Sequence, residues 1–176
     1  MLTHIKITAD RKYIVIMNSS NEQKNVVLFS GYFDPIHHGH CEYAKNAREL
    51  AGKDGLVYAI VNNDKQAIMK KGFSFVPQED RVAVVSSLKY VNKVFLSIDN
   101  DRTVCKTIQH ICDTEEFKPT HWFNEGDVTS SNPCPEEDVC NMNGIKIVYG
   151  SGDKVQSSSW ILKKSVEVAY NKLFMS

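Results

Sequence analysis

The sequence predicts an α/β domain with a Rossmann-like, doubly wound, five-stranded parallel sheet, preceded by an N-terminal β-hairpin. From Val26 onward, strand patterns alternate with helical patterns as far as the C-terminus. The strand patterns are apolar throughout, which is typical of strands buried on both faces of a parallel sheet. Right-handed crossovers between such strands place helices on both sides of the sheet.

The first element is a hairpin over residues 1–24, outside the main domain, which is predicted to span residues 25–176. The runs HIKIT and KYIVIM are rich in β-forming residues and flank the polar turn ADR. Charged residues interrupt this region so often that it predicts neither a signal peptide nor a membrane span.

The five strands of the main domain are short apolar runs bounded by polar or turn residues. The first four are followed by polar loops that lead towards helices. The predicted strands are, in order, VVLFS from Val26, GLVYAIVN from Gly55, KVFLSI from Lys93, the apolar part of THWFNEGD from Thr120, and IKIVYG from Ile145.

Helices are predicted between the strands and after the last one. The first has apolar or small residues at helical spacing, the second has Pro77 near its start, and Gly144 closes the fourth. The segment IMKKGFSFV, before the second helix, is predicted to be a loop. The predicted helices are GHCEYAKNARELA, PQEDRVAVVSSLKY, TVCKTIQHIC, PEEDVCNMN and SSSWILKKSVEVAYNKLF.

Composition limits the partners of this chain. The formal net charge is zero, so no overall basic field recruits nucleic acid or anionic lipid, and any phosphate-binding charge must be local. The five cysteines include no CxxC pair, and an odd count without zinc-like spacing favours free thiols in a reducing, cytoplasmic compartment. We therefore expect no nucleic acid partner, no membrane partner and no metal held by side chains.

The loop SGYFDPIHHGH follows the first strand of the main domain, and ligands of such sheets bind at the carboxyl ends of strands. Gly31 allows a tight turn close to a ligand. His37 and His40 share one face of the first helical turn, beside free amides and the positive end of the helix dipole. The pattern predicts a phosphate pocket; the alternative is that the histidines only cap the helix or coordinate a metal.

The string Gly31-x-Phe33-Asp34-x-x-His37-x-Gly39-His40 resembles the GxFDxxHxGH motif of the cytidylyltransferase-like nucleotidyltransferase superfamily. The likeness runs from about Val26 to about Lys164 and is nearest to the glycerol-3-phosphate cytidylyltransferase and heptose-phosphate adenylyltransferase branch. It implies transfer of CMP, or else AMP, from a nucleoside triphosphate to a small phosphorylated polyol or sugar. Pyrophosphate is released, Mg²⁺ accompanies the phosphates, and a homodimer is expected.

The resemblance also implies roles for individual residues. The acceptor phosphate is already anionic near neutral pH, so positioning and electrostatic stabilisation should provide most of the rate. The catalytic residues implied are His37, His40 and Lys70. The nucleotide-binding residues implied are Gly31, Tyr32, Phe33, Asp34, Gly39, Gly126, Asp127, Ser157, Ser158 and Ser159. The substrate-binding residues implied are Asp64, Lys65, Lys71 and Arg81.

Simpler interpretations exist for several of these residues. Ser157 alone is explained by an N-cap, and an Asp after a strand by a turn. Lys70 and Lys71 could be a solvated pair. Arg81 could form a surface ion pair with Glu79 or Asp80.

Two departures from the glycerol-phosphate enzymes leave the acceptor open. Lys154 is the only cation in the segment before the serine run, where those enzymes have an arginine, and lysine lacks the bidentate fork. The segment VTSSNPCPEED after Asp127 lacks their second acidic residue and tryptophan. The alternatives are a coenzyme-pathway adenylyltransferase acting on phosphopantetheine or a mononucleotide, and a non-catalytic nucleotide-binding sensor.

Overall fold

The computed structural model describes residues 5–7, 14–16, 24–124, 134–150 and 157–174. Its strands are β1 (Ile5–Ile7), β2 (Ile14–Ile16), β3 (Val26–Gly31), β4 (Leu56–Val61), β5 (Lys93–Leu96), β6 (His121–Asn124) and β7 (Lys146–Tyr149). Its helices are α1 (His38–Ala51), α2 (Asp64–Lys71), α3 (Gln78–Ser86), α4 (Cys105–Thr114), α5 (Glu137–Met142) and α6 (Ser158–Phe174).

The N-terminal strands β1 and β2 form the predicted hairpin. They pair antiparallel, with Ile5 opposite Ile16 and Ile7 opposite Ile14. The pairing confirms the hairpin, and its boundary with the main domain at residue 24 stays a prediction.

The five remaining strands form one parallel sheet in the order β5-β4-β3-β6-β7. The chain builds outward from β3 through β4 to β5 and then returns to the other side of β3. This reversal is the topological switch of a doubly wound sheet, where ligand crevices form beyond the carboxyl ends of the strands. The predicted fold class is confirmed, and the loop after Gly31 lies at the switch.

Both faces of the sheet are buried, which explains the absence of polar alternation in its strands. On one face, Leu28 and Trp122 pack with α4 residues such as Ile108. On the other face, Phe29 packs with α1 residues such as Ala47. Because neighbouring residues of each strand enter different cores, the strands must be apolar at successive positions.

Helix α2 differs from the prediction, which placed Lys70 and Lys71 in a loop. The Asn63 side chain accepts a hydrogen bond from the Gln66 amide, and the Gln66 side chain accepts one from the Asn63 amide. This reciprocal capping box starts the helix, and Gly72 at φ 86° ends it. The loop prediction was wrong because the N-x-x-Q pattern at Asn63 starts a helix, and Gly72 ends that helix after two cations instead of belonging to a longer loop.

Helix α3 ends at Ser86, sooner than the predicted Tyr90. The hydroxyl of Ser87 donates to the carbonyl of Val84 at 2.7 Å. The same carbonyl accepts from the Ser87 amide, an i to i+3 bond that closes the last turn. Serine side chains that bond nearby carbonyls compete with helical backbone pairing, which favours an early end here.

Helix α6 leaves many apolar side chains exposed, among them Trp160, Val166, Tyr170 and Leu173. Apolar residues of a terminal helix are expected to pack in the core or against a partner. Their exposure rules out the core for these positions, and the dimer stays a prediction. Among the residues that the structure describes, no helix has both the length and the apolar character needed to cross a bilayer.

Candidate active site

The turn after β3 depends on the pair Gly31 and Phe33. Phe33 is buried and has φ 50°, a left-handed conformation that costs a non-glycine residue about 1–3 kcal/mol. A Cβ on Gly31 would lie 2.8 Å from the Phe33 ring. The prediction that Gly31 supplies the turn is therefore corrected: Phe33 adopts the positive φ, and Gly31 makes room for its ring.

The two predicted histidines meet at the start of α1. His37 is the N-cap residue, and the His40 ring stacks on the His37 ring with centroids 3.8 Å apart. The Phe33 ring covers His40 from another direction, with centroids 4.9 Å apart. Gly39 lies between them in the first helical turn. The structure thus brings the histidines together at a helix start, as the sequence predicted.

The protonation state of His40 is fixed by its surroundings. The His37 amide donates to Nδ1 of His40 at 3.2 Å, so Nδ1 is an acceptor and the proton of the neutral ring is on Nε2. Burial, then the charges of His37 and Lys71, lower the pKa of His40 from 6.5 to about 3. The ring is therefore a neutral N–H donor at physiological pH.

This depressed pKa predicts that the protein loses stability as pH falls below about 6.5. Between that pH and about 3, the unfolded state binds a proton at His40 that the folded state does not. For one such group the loss is about 1.4 kcal/mol per pH unit, or roughly 2 kcal/mol between pH 6.5 and 5. Urea midpoints measured at pH 7.5, 6.5 and 5 give the change in the free energy of unfolding.

His40→Gln should remove much of this dependence, because the titrating group is gone. His110→Gln is the control, since His110 is exposed on α4. A pH dependence of His40→Gln equal to that of the wild type would contradict the assignment.

Asp34 organises the loop between α2 and α3. Its carboxylate is fully buried and accepts hydrogen bonds from the amides of Phe75 at 3.1 Å and Val76 at 2.7 Å. The Lys71 ammonium donates to the Asp34 carbonyl at 2.6 Å and lies 3.7 Å from the carboxylate. In the described contacts Asp34 therefore positions Lys71 and the loop, and its predicted contact with nucleotide stays a prediction.

Arg81 forms a buried hub beneath the site. Its side chain is 1% exposed and donates to the carbonyls of Val76, Tyr32 and Asn62 at 2.6–2.8 Å. It also forms an ion pair with Asp64 at 2.6 Å, so the alternative pair with Glu79 or Asp80 is not the one observed. Arg81 thus supports the ends of β3 and β4, and its predicted contact with substrate stays a prediction.

Asp64 is held in its ionised form. Partial burial alone would raise its pKa, but hydrogen bonds from Ser74 and Arg81 outweigh burial and lower the pKa. The Ser74 hydroxyl donates to Asp64 at 2.7 Å, and the Asp64 amide donates to Gln78 at 3.0 Å. Asp64 therefore ties α2 to the loop before α3.

An open cleft of about 340 Å³ lies beside Asp64, at the ends of β4 and β5. Lys65 lies exposed in the first turn of α2 and lines the cleft. The other lining residues are polar apart from one leucine: Asn63, Asp64, Gln78, Leu96, Ser97 and Asn100. Two of the predicted substrate-binding residues, Asp64 and Lys65, therefore share one cleft.

The two adjacent lysines of α2 have different environments. Lys70 is exposed, and its ammonium lies 4.4 Å from the centroid of the Tyr32 ring. Lys71 is half-buried beside Asp34, and burial, partly offset by the Asp34 charge, lowers its pKa. Lys71 is also the lysine whose charge acts on His40. Lys71 is thus held at the Asp34 carbonyl, in the loop that precedes the histidine pair, and the catalytic role predicted for Lys70 stays a prediction.

The start of α6 meets the same loop. Ser157 caps the helix by accepting from the Trp160 amide at 3.2 Å, as predicted. The Ser158 hydroxyl donates to the Pro35 carbonyl at 2.9 Å, 123 positions away in sequence. Ser159 is exposed in the first turn. The beginnings of α1 and α6 therefore flank one loop, and Gly126 and Asp127, predicted after β6, lie outside the described residues.

This arrangement can bind a chain of phosphates. Two helix starts present backbone amides, one with a neutral imidazole donor and the other with serine hydroxyls, and Lys71 adds a positive charge. Such groups stabilise phosphoryl oxygens without a further proton transfer. The fold and site therefore define a class: Rossmann-like α/β domains with a site suited to phosphate after the central strand.

Known proteins resemble this chain in sequence and in fold. The chain matches the cytidylyltransferase-like family over residues 28–164. It is 39% identical to the FAD synthase of Archaeoglobus profundus over 151 residues, which are 84% of this chain and 90% of that protein. The chain belongs to the cytidylyltransferase-like family, and the resemblance predicted from residues 31–40 is confirmed.

Other relatives match over a shorter region. The chain is 37% identical to the FAD synthase of Methanopyrus kandleri over 84 residues, 47% of this chain and 56% of that protein. The chain thus spans little more than half the length of that relative. The crystal structure of a lipopolysaccharide core biosynthesis protein from Thermoplasma volcanium matches with a TM-score of 0.60 at 22% identity, covering 74% of this chain and 98% of that chain. This likeness supports the fold alone.

Proposed function

We propose that this protein is an adenylyltransferase that joins the AMP part of ATP to the phosphate of FMN, forming FAD and pyrophosphate. The observation that carries the proposal is the meeting of the α1 and α6 starts at one loop, through the Ser158–Pro35 hydrogen bond and the His37–His40 pair. The name of the relatives, FAD synthase, supports the choice of acceptor.

The proposed reaction needs positioning more than acid–base chemistry. A phosphate oxygen of FMN attacks the α-phosphorus of ATP, the bond from that phosphorus to the bridging oxygen breaks, and pyrophosphate leaves. The attacking oxygen is anionic near neutral pH and requires no general base. His40 donates its Nε2 proton in a hydrogen bond to phosphoryl oxygens, and Lys71 offsets their growing negative charge.

Mg²⁺ is proposed to enter on the phosphates of ATP, where it would neutralise their charge. The carboxylates of Asp34 and Asp64 already accept hydrogen bonds from protein donors. Within the described residues, no group of three or more His, Cys, Asp or Glu side chains is arranged to hold a metal. This fits Mg²⁺, which commonly binds through substrate phosphates and retains several waters.

The sequence left two choices for the phosphorylated acceptor. Transfer of CMP to a phosphorylated polyol or sugar was the first, and a coenzyme-pathway adenylyltransferase was the alternative. FAD consists of AMP joined through a pyrophosphate link to FMN, a mononucleotide, so the FAD synthase relatives favour the alternative. The cleft beside Asp64 and Lys65, close to the Arg81 hub, is the proposed acceptor site.

Pyrophosphate release from defined substrate pairs tests this function. We expect turnover with ATP and FMN, together with formation of FAD, and at least tenfold slower turnover with CTP and glycerol 3-phosphate. CTP with FMN and ATP with glycerol 3-phosphate separate the choice of nucleotide from the choice of acceptor. ATP with phosphopantetheine tests the other coenzyme-pathway acceptor.

Turnover with glycerol 3-phosphate and not with FMN would overturn the choice of acceptor but leave nucleotidyl transfer intact. Calorimetric binding of ATP without turnover on any pair would instead favour a nucleotide-binding sensor. Both outcomes are interpretable only with folded protein, so the same samples should show a cooperative thermal transition.

A further inference from the structure

Two lysines lie over the ring of Tyr32, the residue between Gly31 and Phe33 in the motif, and Arg102 reaches the same end of α2. The ammonium groups of Lys70 and Lys71 lie 4.4 Å and 5.8 Å from the centroid of the Tyr32 ring. The Arg102 guanidinium donates to the carbonyl of Met69 at 2.7 Å, directly before Lys70. Cations over an aromatic face are attracted by the ring quadrupole, so the ring supports the two lysines beside Arg102.

Arg102 is presented by a fixed segment between β5 and α4. The buried Gln66 side chain donates to the carbonyls of Asp101 at 2.8 Å and Thr103 at 2.6 Å, one on each side of Arg102. The Asp101 carboxylate in turn accepts from the amide and hydroxyl of Thr103. The backbone is therefore held on both sides of Arg102, and the guanidinium reaches α2 at the Met69 carbonyl.

The local charge favours an anion. Lys71 is paired with Asp34, but within the described part of the chain no carboxylate lies within 4 Å of the Arg102 guanidinium. Burial raises the pKa of Tyr32, and the charge of Arg102 acts in the opposite direction on the same hydroxyl. The buried carboxylate of Glu136 also acts on that hydroxyl and raises the pKa.

Capping of α2 is the simpler explanation of Arg102. A cation near the last carbonyls of a helix is favourable, but α2 already ends in Lys70 and Lys71. A third cation therefore adds repulsion at a helix end that needs no further charge. An anionic ligand removes that repulsion, and a guanidinium retains further N–H donors after bonding one carbonyl.

We propose that Arg102 is a further phosphate-binding residue of the site, acting beside Lys70 and Lys71, and that Tyr32 is a positioning residue for these two lysines. The ligand is a phosphate group. It belongs either to the triphosphate and its pyrophosphate product or to the phosphorylated acceptor. This inference rests on the proposed function for the identity of these ligands.

Equilibrium binding separates the two sources. Calorimetry with pyrophosphate and Mg²⁺ reports on the triphosphate side, and calorimetry with FMN reports on the acceptor. We expect Arg102→Gln to weaken one of these ligands about tenfold, as loss of a charge-assisted hydrogen bond does, and to leave the other within twofold. Lys106→Gln, an exposed cation on the following helix, should change neither.

The role of Tyr32 is tested by ligand binding, which a purely structural role would leave unchanged. Tyr32→Leu should weaken the same ligand as Arg102→Gln, and Tyr32→Phe, which keeps the ring, should restore binding to within twofold. Tyr32→Leu combined with Lys70→Gln should weaken binding less than the product of the two single effects, because both remove one contact.

Unchanged pyrophosphate and FMN binding in Arg102→Gln would overturn the role of Arg102, as would a wild type that binds neither ligand. A Tyr32→Leu variant with a lower melting temperature but wild-type affinity for both pyrophosphate and FMN would overturn the role of Tyr32. These measurements need no turnover. Failure to form FAD, with Arg102-dependent pyrophosphate binding intact, would therefore refute the proposed acceptor and leave this inference standing.

Discussion

His40→Ala is expected to lower kcat by about a hundredfold or more, because it removes a preorganised donor to the phosphoryl oxygens. The Nε2 proton of His40 is fixed by the His37 amide on Nδ1 and by burial against Phe33. The neutral His40 ring needs no protonation before it donates its hydrogen bond. Its removal should therefore lower kcat more than it raises KM. Steady-state kinetics with ATP and FMN, measured as pyrophosphate release, give kcat and KM separately.

His38→Ala is the matched control, since it changes the neighbouring histidine of the same motif. His38 points to solvent with 67% of its side chain exposed and lies 3.6 Å from Glu42. Its removal should change kcat by less than twofold. Equal losses for the two variants, or a His40→Ala enzyme with wild-type kcat, would refute the assignment of His40 as the donor.

Arg81→Met is expected to lower the free energy of unfolding by about 3–5 kcal/mol. The substitution keeps much of the side-chain length but removes the Arg81 donors to the carbonyls of Val76, Tyr32 and Asn62 and to the Asp64 carboxylate. An acceptor left unsatisfied in the interior bears the cost of its desolvation. Urea denaturation followed by circular dichroism measures the change.

Lys53→Met is the control for loss of a cation at an exposed position, and we expect a change within about 0.5 kcal/mol. Arg81→Lys should lie between the two, because an ammonium can keep the ion pair but cannot reach all four acceptors. An Arg81→Met protein as stable as the control would show that the hub does not hold the ends of β3 and β4.

Most of the fold could be predicted because it follows from local patterns. The strands of the main sheet are apolar at successive positions, and this signal survives wherever both faces are covered. The capping role of Ser157 was also readable, since a serine before an apolar helix has one well-known use. Helix α2 is also encoded locally, by the capping box of Asn63 and Gln66 and by Gly72 at its end.

The roles of single side chains in the site were less predictable, because they depend on contacts between distant segments. Nothing near Arg81 in sequence indicates that its partners are carbonyls at the ends of two strands. The hydrogen bond from Ser158 to Pro35 joins positions 123 apart. The contact of Arg102 with Met69 is likewise not predictable from sequence, since the two residues are 33 positions apart.

The central claim is that the starts of α1 and α6 bind one triphosphate between them. A crystal structure of the protein with a non-hydrolysable ATP analogue and Mg²⁺ tests this directly. Phosphate oxygens should lie about 3 Å from His40 Nε2 and, on the same molecule, from a hydroxyl or amide of Ser158 or Ser159. A triphosphate that contacts only one of the two helix starts, or that lies elsewhere on the protein, would contradict the account.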